Sequence, residues 1–113
     1  MSGKPVKRTD KDLFALIEQK IKEKNYAFLP HTQQRMIERQ ILATDVINIL
    51  KGIPGYERGR NKRKDTYEDQ YINESAEDWK YCIEGKNIDG KKIRIIITFA
   101  EDLMPIITVI NIR

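Results

Sequence analysis

The apolar residues change period at Pro54-Gly55, and that change narrows the folds open to the chain. Before it, Leu13, Phe14, Ile17 and Ile21 recur at helical spacing, with Leu16 widening the stripe, and so do Val46, Ile49 and Leu50. After it come short β-prone runs separated by turn residues, of which K-I-R-I-I-I-T-F from Lys92 is the clearest. Helices come first and strands second. The order predicts an α+β fold, with N-terminal helices packed on an antiparallel sheet of three to four strands.

The spacing sets the expected elements. Residues 1–8 read as a flexible basic arm, and residues 9–113 as a single domain. Thr9 opens a capping-box-like T-D-K-D, with a helix from Asp10 to about Lys24 that Asn25 closes. Pro30 suits the first turn of a second helix, which ends near Arg39 or Gln40 and has Met36 and Ile37 as its strong apolar residues. A third helix follows, capped by Thr44 and ended by Gly52. Tyr56 to Arg58 then reads as a short strand and residues 59–66 as a loop. Thr66 to Ile72 reads as either a strand, with Tyr67 and Tyr71 on one face, or a turn of helix. Trp79 to Lys86 alternates as a strand, Asp89-Gly90 forms the centre of a hairpin turn, and Pro105 opens the last strand.

Charge is distributed unevenly. The net charge is +4 over 113 residues, a mild bias toward a polyanionic partner. Residues 51–64 hold six Lys or Arg against one Glu, and residues 65–78 hold six Asp or Glu with no Lys or Arg. Such adjoining blocks are either a charged hairpin that pairs with itself or an electrostatic footprint beside a counter-charged segment. No apolar run approaches the roughly 20 residues of a membrane span, and the basic N-terminus lacks the apolar core of a secretion signal. Cys82 has no second cysteine to pair with and reads as a small buried hydrophobe. One Cys and one His do not make a zinc site of the usual kind. The expectation is a cytoplasmic protein without membrane contact.

Three features occur together: H-x-x-x-R-M-x-x-R at 31–39, the helix from Ile41 to Gly52 with Val46 and Leu50 inside, and the meander of Y-x-I-x-G, G-K-K-I-R-I-I-I and P-I-I-T-V-I. The combination resembles a family of small bacterial domains, domain of unknown function 4258, over about residues 28–112. That family is similar to the RelE/ParE-type toxin superfamily, near the motility-quorum-sensing-regulator and BrnT ribonuclease toxins. The resemblance implies a RelE-toxin-like fold and the toxin of a bacterial type II toxin–antitoxin system. The implied activity is a metal-independent endoribonuclease that cleaves mRNA by 2′-OH attack, on or off the ribosome, with no cofactor and with a cognate antitoxin as partner. The chain departs from well-characterised toxins in ending N-I-R, without a dense C-terminal set of Arg, Lys and Tyr; no residue is thereby assigned as general acid.

Such chemistry needs a proton acceptor near the 2′-OH and cations around the phosphate. His31 is a candidate base or acid, or else a capping or packing residue. Arg35 and Arg39 follow it at four-residue steps, so the three share one helical stripe that turns away from the Met36 and Ile37 side. The two guanidinium groups can clamp phosphates, or one can lie inside, paired with a carboxylate. Arg94 and Tyr81 lie on adjacent strands and complete the candidate catalytic set, although Tyr81 shares its face with Ile83 and can equally be core. Arg58, Arg60, Lys62, Arg63 and Lys64 form the candidate RNA-binding block, with Tyr56 and Tyr67 flanking it for base stacking. Two other readings are a non-catalytic RNA- or antitoxin-binding module on the same fold, and a scaffold that binds partners at the sheet edge of the last strand.

Overall fold

The computed structural model describes residues 5–67 and 78–112. Among them the elements run α1 (Asp10–Lys22), β1 (Tyr26–Phe28), α2 (Pro30–Arg39), α3 (Ala43–Lys51), β2 (Glu57–Arg60), β3 (Tyr81–Lys86), β4 (Lys92–Ile97) and β5 (Met104–Ile112). A 3-10 turn, Lys62–Lys64, follows β2. The strand expected over Thr66 to Ile72 lies outside the described residues beyond Tyr67.

The α+β class holds, but the sheet is larger than three to four strands and is mixed. Its order is β1-β5-β4-β3-β2. β2, β3, β4 and β5 form the expected antiparallel meander. β1 is the addition and runs parallel to β5, with Tyr26 opposite Met104 and Phe28 opposite Ile106. Three residues are too few to show an alternating pattern in sequence. β5 is consequently interior, with β1 on one side and β4 on the other. The last-strand edge considered for a partner-binding scaffold is thus covered by β1 along Met104–Ile106.

Local chemistry explains the helix ends. The Thr9 hydroxyl accepts the Asp12 amide and caps α1. α1 ends with Lys24 in a left-handed conformation, one residue before Asn25. α3 ends at Gly52, whose φ of +69° is the left-handed turn expected there. Its start differs from expectation: Leu42 occupies the N-cap position without a side-chain hydrogen bond, and Thr44 lies inside the first turn. In the β3–β4 hairpin the Gly90 amide donates to the Asn87 carbonyl, which makes Ile88 and Asp89 the central pair and places Gly90 after them.

α1 and α3 cover one face of the sheet. Leu13, Ile17, Ile49 and Leu50 meet Ile83, Ile95, Ile97, Ile106 and Val109 in one core. α2 lies along β5 beyond the end of β1 and takes up carbonyls that β1 does not reach. The Thr32 hydroxyl donates to the Ile107 carbonyl, and Arg39 Nη1 donates to the Val109 carbonyl at 2.8 Å. Asn111 Nδ2 returns a bond to the Arg39 carbonyl. Residues 5–8, expected as a loose arm, lie against the end of β3. Trp79 Nε1 donates to the Pro5 carbonyl, and Arg8 pairs with Asp78 at 2.6 Å. No helix among the described residues is long and apolar enough to cross a membrane.

Candidate functional site

Strand alternation sends one set of side chains to the helices and the other set to the opposite face. On that opposite face, Gly59, Glu84, Arg94 and Ile110 form one cross-strand row, and Glu57, Lys86, Lys92 and Ile112 form the next. Except for Ile110, these residues line a groove of about 590 Å³. Arg58 and Arg60 also border it, but their guanidinium groups bond on the helical side.

The centre of the groove is an ion pair. Arg94 Nε donates to Glu84 Oε2 at 2.7 Å, with 24% and 28% of the two side chains exposed. The same carboxylate oxygen accepts Asn61 Nδ2 at 3.1 Å. Burial pushes the Glu84 carboxyl up, but the bonds from Arg94 and Asn61, with the charges of Arg94 and Lys64, outweigh it and hold the group below its ordinary value. Glu84 is therefore ionised at neutral pH. Lys86 approaches Glu57 at 3.7 Å, and Lys92 is exposed. An anionic backbone can meet Arg94, Lys86 and Lys92 here, with an acceptor carboxylate beside them. Among the described residues, no group of three or more His, Cys, Asp or Glu is placed to hold a metal ion.

Of the residues singled out in the sequence, Arg94 is central to this groove. The His31 stripe lies elsewhere. His31 and Arg35 are exposed on α2, while Thr32 and Met36 are buried. Ile37, expected inside, is 78% exposed. Each four-residue step turns the stripe by roughly 40°, which carries Arg39 to the inner side, where it meets the Val109 carbonyl rather than a carboxylate. Thr32 docks at Ile107, five residues along β5 from Ile112 at the groove, or roughly 16 Å of strand. His31, Arg35 and Arg39 do not line the groove.

Tyr81 is fully buried. Its hydroxyl donates to Asp78 and accepts the Arg8 amide, and burial pushes its phenol up. The basic block is divided. Arg58 stacks on Phe14 at 4.2 Å, pairs with Glu18 and donates to the Leu50 carbonyl at the end of α3. Arg60, with its side chain 1% exposed, pairs with Asp65 and Asp10. Lys62 pairs with Asp10, and Arg63 and Lys64 are exposed. Tyr56 donates to Asp45, and Tyr67 packs on Trp79 at 5.8 Å between ring centroids. Neither ring stands beside the groove as a stacking platform.

Glu84, Lys86 and Lys92 of the groove, and Asn61 that holds Glu84, are residues that sequence reasoning missed. One signal was available for three of them: a hairpin centred on residues 88–90 sets Lys86 opposite Lys92 and Glu84 opposite Arg94.

Cys82 lies under the same region, fully buried, and burial followed by the nearby Glu84 charge pushes its thiol up to about 11. Iodoacetamide at pH 8 is expected to leave the folded protein unmodified and to label Cys82 in urea. Rapid labelling without denaturant would contradict its burial.

A family model described as "Domain of unknown function (DUF4258)" matches residues 28–111, most of the chain. The chain belongs to this family. The match begins at the end of β1 and takes in α2, α3 and strands β2 to β5; α1 lies outside it. No curated protein and no solved structure matches the chain. As a DUF4258 member, the protein carries its groove within the matched residues except for Ile112, one residue beyond the match.

Proposed function

We propose that this DUF4258 protein is the toxin of a bacterial type II toxin–antitoxin pair, a metal-independent endoribonuclease that cuts mRNA, and that RNA lies in the groove over β2 to β5. The observation that carries the reading is the Arg94–Glu84 pair beside the Lys86–Lys92 row, on the sheet face that no described helix covers. In-line attack by a ribose 2′-OH needs a cation at the phosphate and a proton acceptor near the sugar, and this groove holds both side-chain types together. Helices on one sheet face and an open charged face on the other also support kinship with RelE/ParE-type toxins. On this reading the protein is cytoplasmic, where mRNA and a cognate antitoxin would meet it.

The test is incubation of the purified protein with mRNA, with and without EDTA and with and without ribosomes. Fragments ending in 2′,3′-cyclic phosphate and 5′-hydroxyl, equally abundant in EDTA, are expected. A second reading, a non-catalytic RNA- or antitoxin-binding module, is favoured by one observation: His31 lies outside the groove. It predicts RNA retention without fragments. Neither retention nor fragments would sink both readings.

A further inference from the structure

We infer that the Glu84 carboxylate is the proton acceptor for the attacking ribose 2′-OH, and that Arg94 both holds this carboxylate and receives the scissile phosphate. The inference rests on the reaction proposed above and assigns its central group.

Position comes first. Glu84 and Arg94 face each other across β3 and β4 in the antiparallel register, and their backbone sits in the middle of the meander rather than on a loop. A carboxylate on a rigid strand keeps its geometry when substrate arrives. The contact uses Arg94 Nε; a guanidinium has five N–H donors, so those on its terminal nitrogens can reach a phosphate while Nε stays on Glu84. Asn61 holds the same Oε2 from the 3-10 turn side. With the Cys82 thiol at 3.9 Å, every printed donor to this carboxylate uses Oε2, which leaves Oε1 as the oxygen assigned to take the proton.

The step balances without a co-reactant beyond water. The ribose O2′ forms a bond to phosphorus, and its proton passes to Glu84. The bond from phosphorus to the 5′-oxygen breaks, and that oxygen takes a proton from water. The products are a 2′,3′-cyclic phosphate and a 5′-hydroxyl end. Glu84 then returns its proton to solvent.

A purely structural Glu84 would anchor Arg94 and nothing more. Glu84→Gln separates the two roles, because the amide oxygen still accepts from Arg94 but takes no proton at neutral pH. Expected are RNA binding equal to or tighter than wild type, since a charge facing the phosphates is gone, and cleavage slower by about 100-fold or more. Glu84→Asp is the second variant, expected to recover part of the rate.

The pH profile gives an independent reading. Glu84 is faced by Arg94 from β4, by Lys64 and Asn61 from the 3-10 turn region, and by Cys82 from its own strand, with Lys86 and Glu57 along the groove. The active form is the carboxylate, so the rate is present above its pKa and falls as pH drops through it. Because its pKa is held below the ordinary carboxylate value, the acid limb should lie below the range of a free glutamate carboxyl, and Glu84→Gln should lose that limb. Binding and cleavage falling in parallel, or cleavage unchanged in Glu84→Gln, would overturn the inference while leaving the endoribonuclease reading standing. No cleavage by the wild-type protein would overturn both.

Discussion

Arg60→Ala is expected to destabilise the protein by about 3–5 kcal/mol, as removing one partner of a buried ion pair does. Arg60 looked like an RNA contact in the sequence, yet its side chain is 1% exposed and that of Asp65 is fully buried. The guanidinium donates twice to Asp65 Oδ2, at 2.9 and 3.2 Å, and once each to the Arg8 carbonyl and Asp10. It also lies over the Tyr81 ring at 5.2 Å. Asp65 in turn accepts the Cys82 amide at 2.9 Å. Truncating Arg60 leaves the buried carboxylate with only the Lys7 ammonium at 3.7 Å and the Cys82 amide, and loosens the chain on both sides of the 3-10 turn. Urea unfolding measures the effect, with Arg63→Ala as the exposed control, expected within about 0.5 kcal/mol of wild type. Wild-type stability in Arg60→Ala, with RNA binding alone reduced, would mean that the guanidinium serves the ligand rather than the fold.

Gly85→Ala is expected to cost about 2 kcal/mol or more. Alanine gains up to about 1 kcal/mol by narrowing the unfolded ensemble. Against this, its Cβ would lie 2.1 Å from the Glu57 carbonyl oxygen and 2.6 Å from Ile49 Cγ2. The oxygen belongs to the backbone of the neighbouring strand and cannot rotate away. β2 must separate from β3, or α3 must lift off the sheet, at an overpacking cost of about 1–3 kcal/mol and sometimes more. The melting temperature should fall by roughly 8 °C or more. The same change at Gly59, where the nearest atom to the added carbon is 3.8 Å away, should be mild. A stable Gly85→Ala would show that α3 does not approach β3 as closely as described.

Much of the frame was legible because its signals are local. Thr9, Gly52 and the Asn87–Gly90 turn each act within a few residues of their own position, and the isoleucine runs in β4 and β5 bury as their alternation suggests. What failed depends on distant pairing. Tyr26–Phe28 is a strand only because Met104–Ile106 runs beside it. Arg58 and Arg60 alternate with Gly59, and the β2–β3 register sets Arg60 opposite Ile83, on the helical side. Glu18, Asp10 and Asp65 wait there, and nothing in R-G-R-N-K-R-K announces them. The His31 stripe does not share one face for a geometric reason: four-residue steps drift around a helix, so Arg39 is half-buried against β5 while His31 is exposed.

The groove, rather than the His31 stripe, is the predicted contact with RNA, and an amide spectrum of the labelled protein tests this directly. The ligand is an unpaired oligoribonucleotide with 2′-O-methyl groups, which binds but lacks the attacking hydroxyl. Titration is expected to move the amide signals of Gly59, Glu84, Gly85, Lys86, Lys92 and Arg94 together, with shifts that weaken as salt rises. Shifts confined to residues 31–39, with the β3 and β4 signals unmoved, would contradict it.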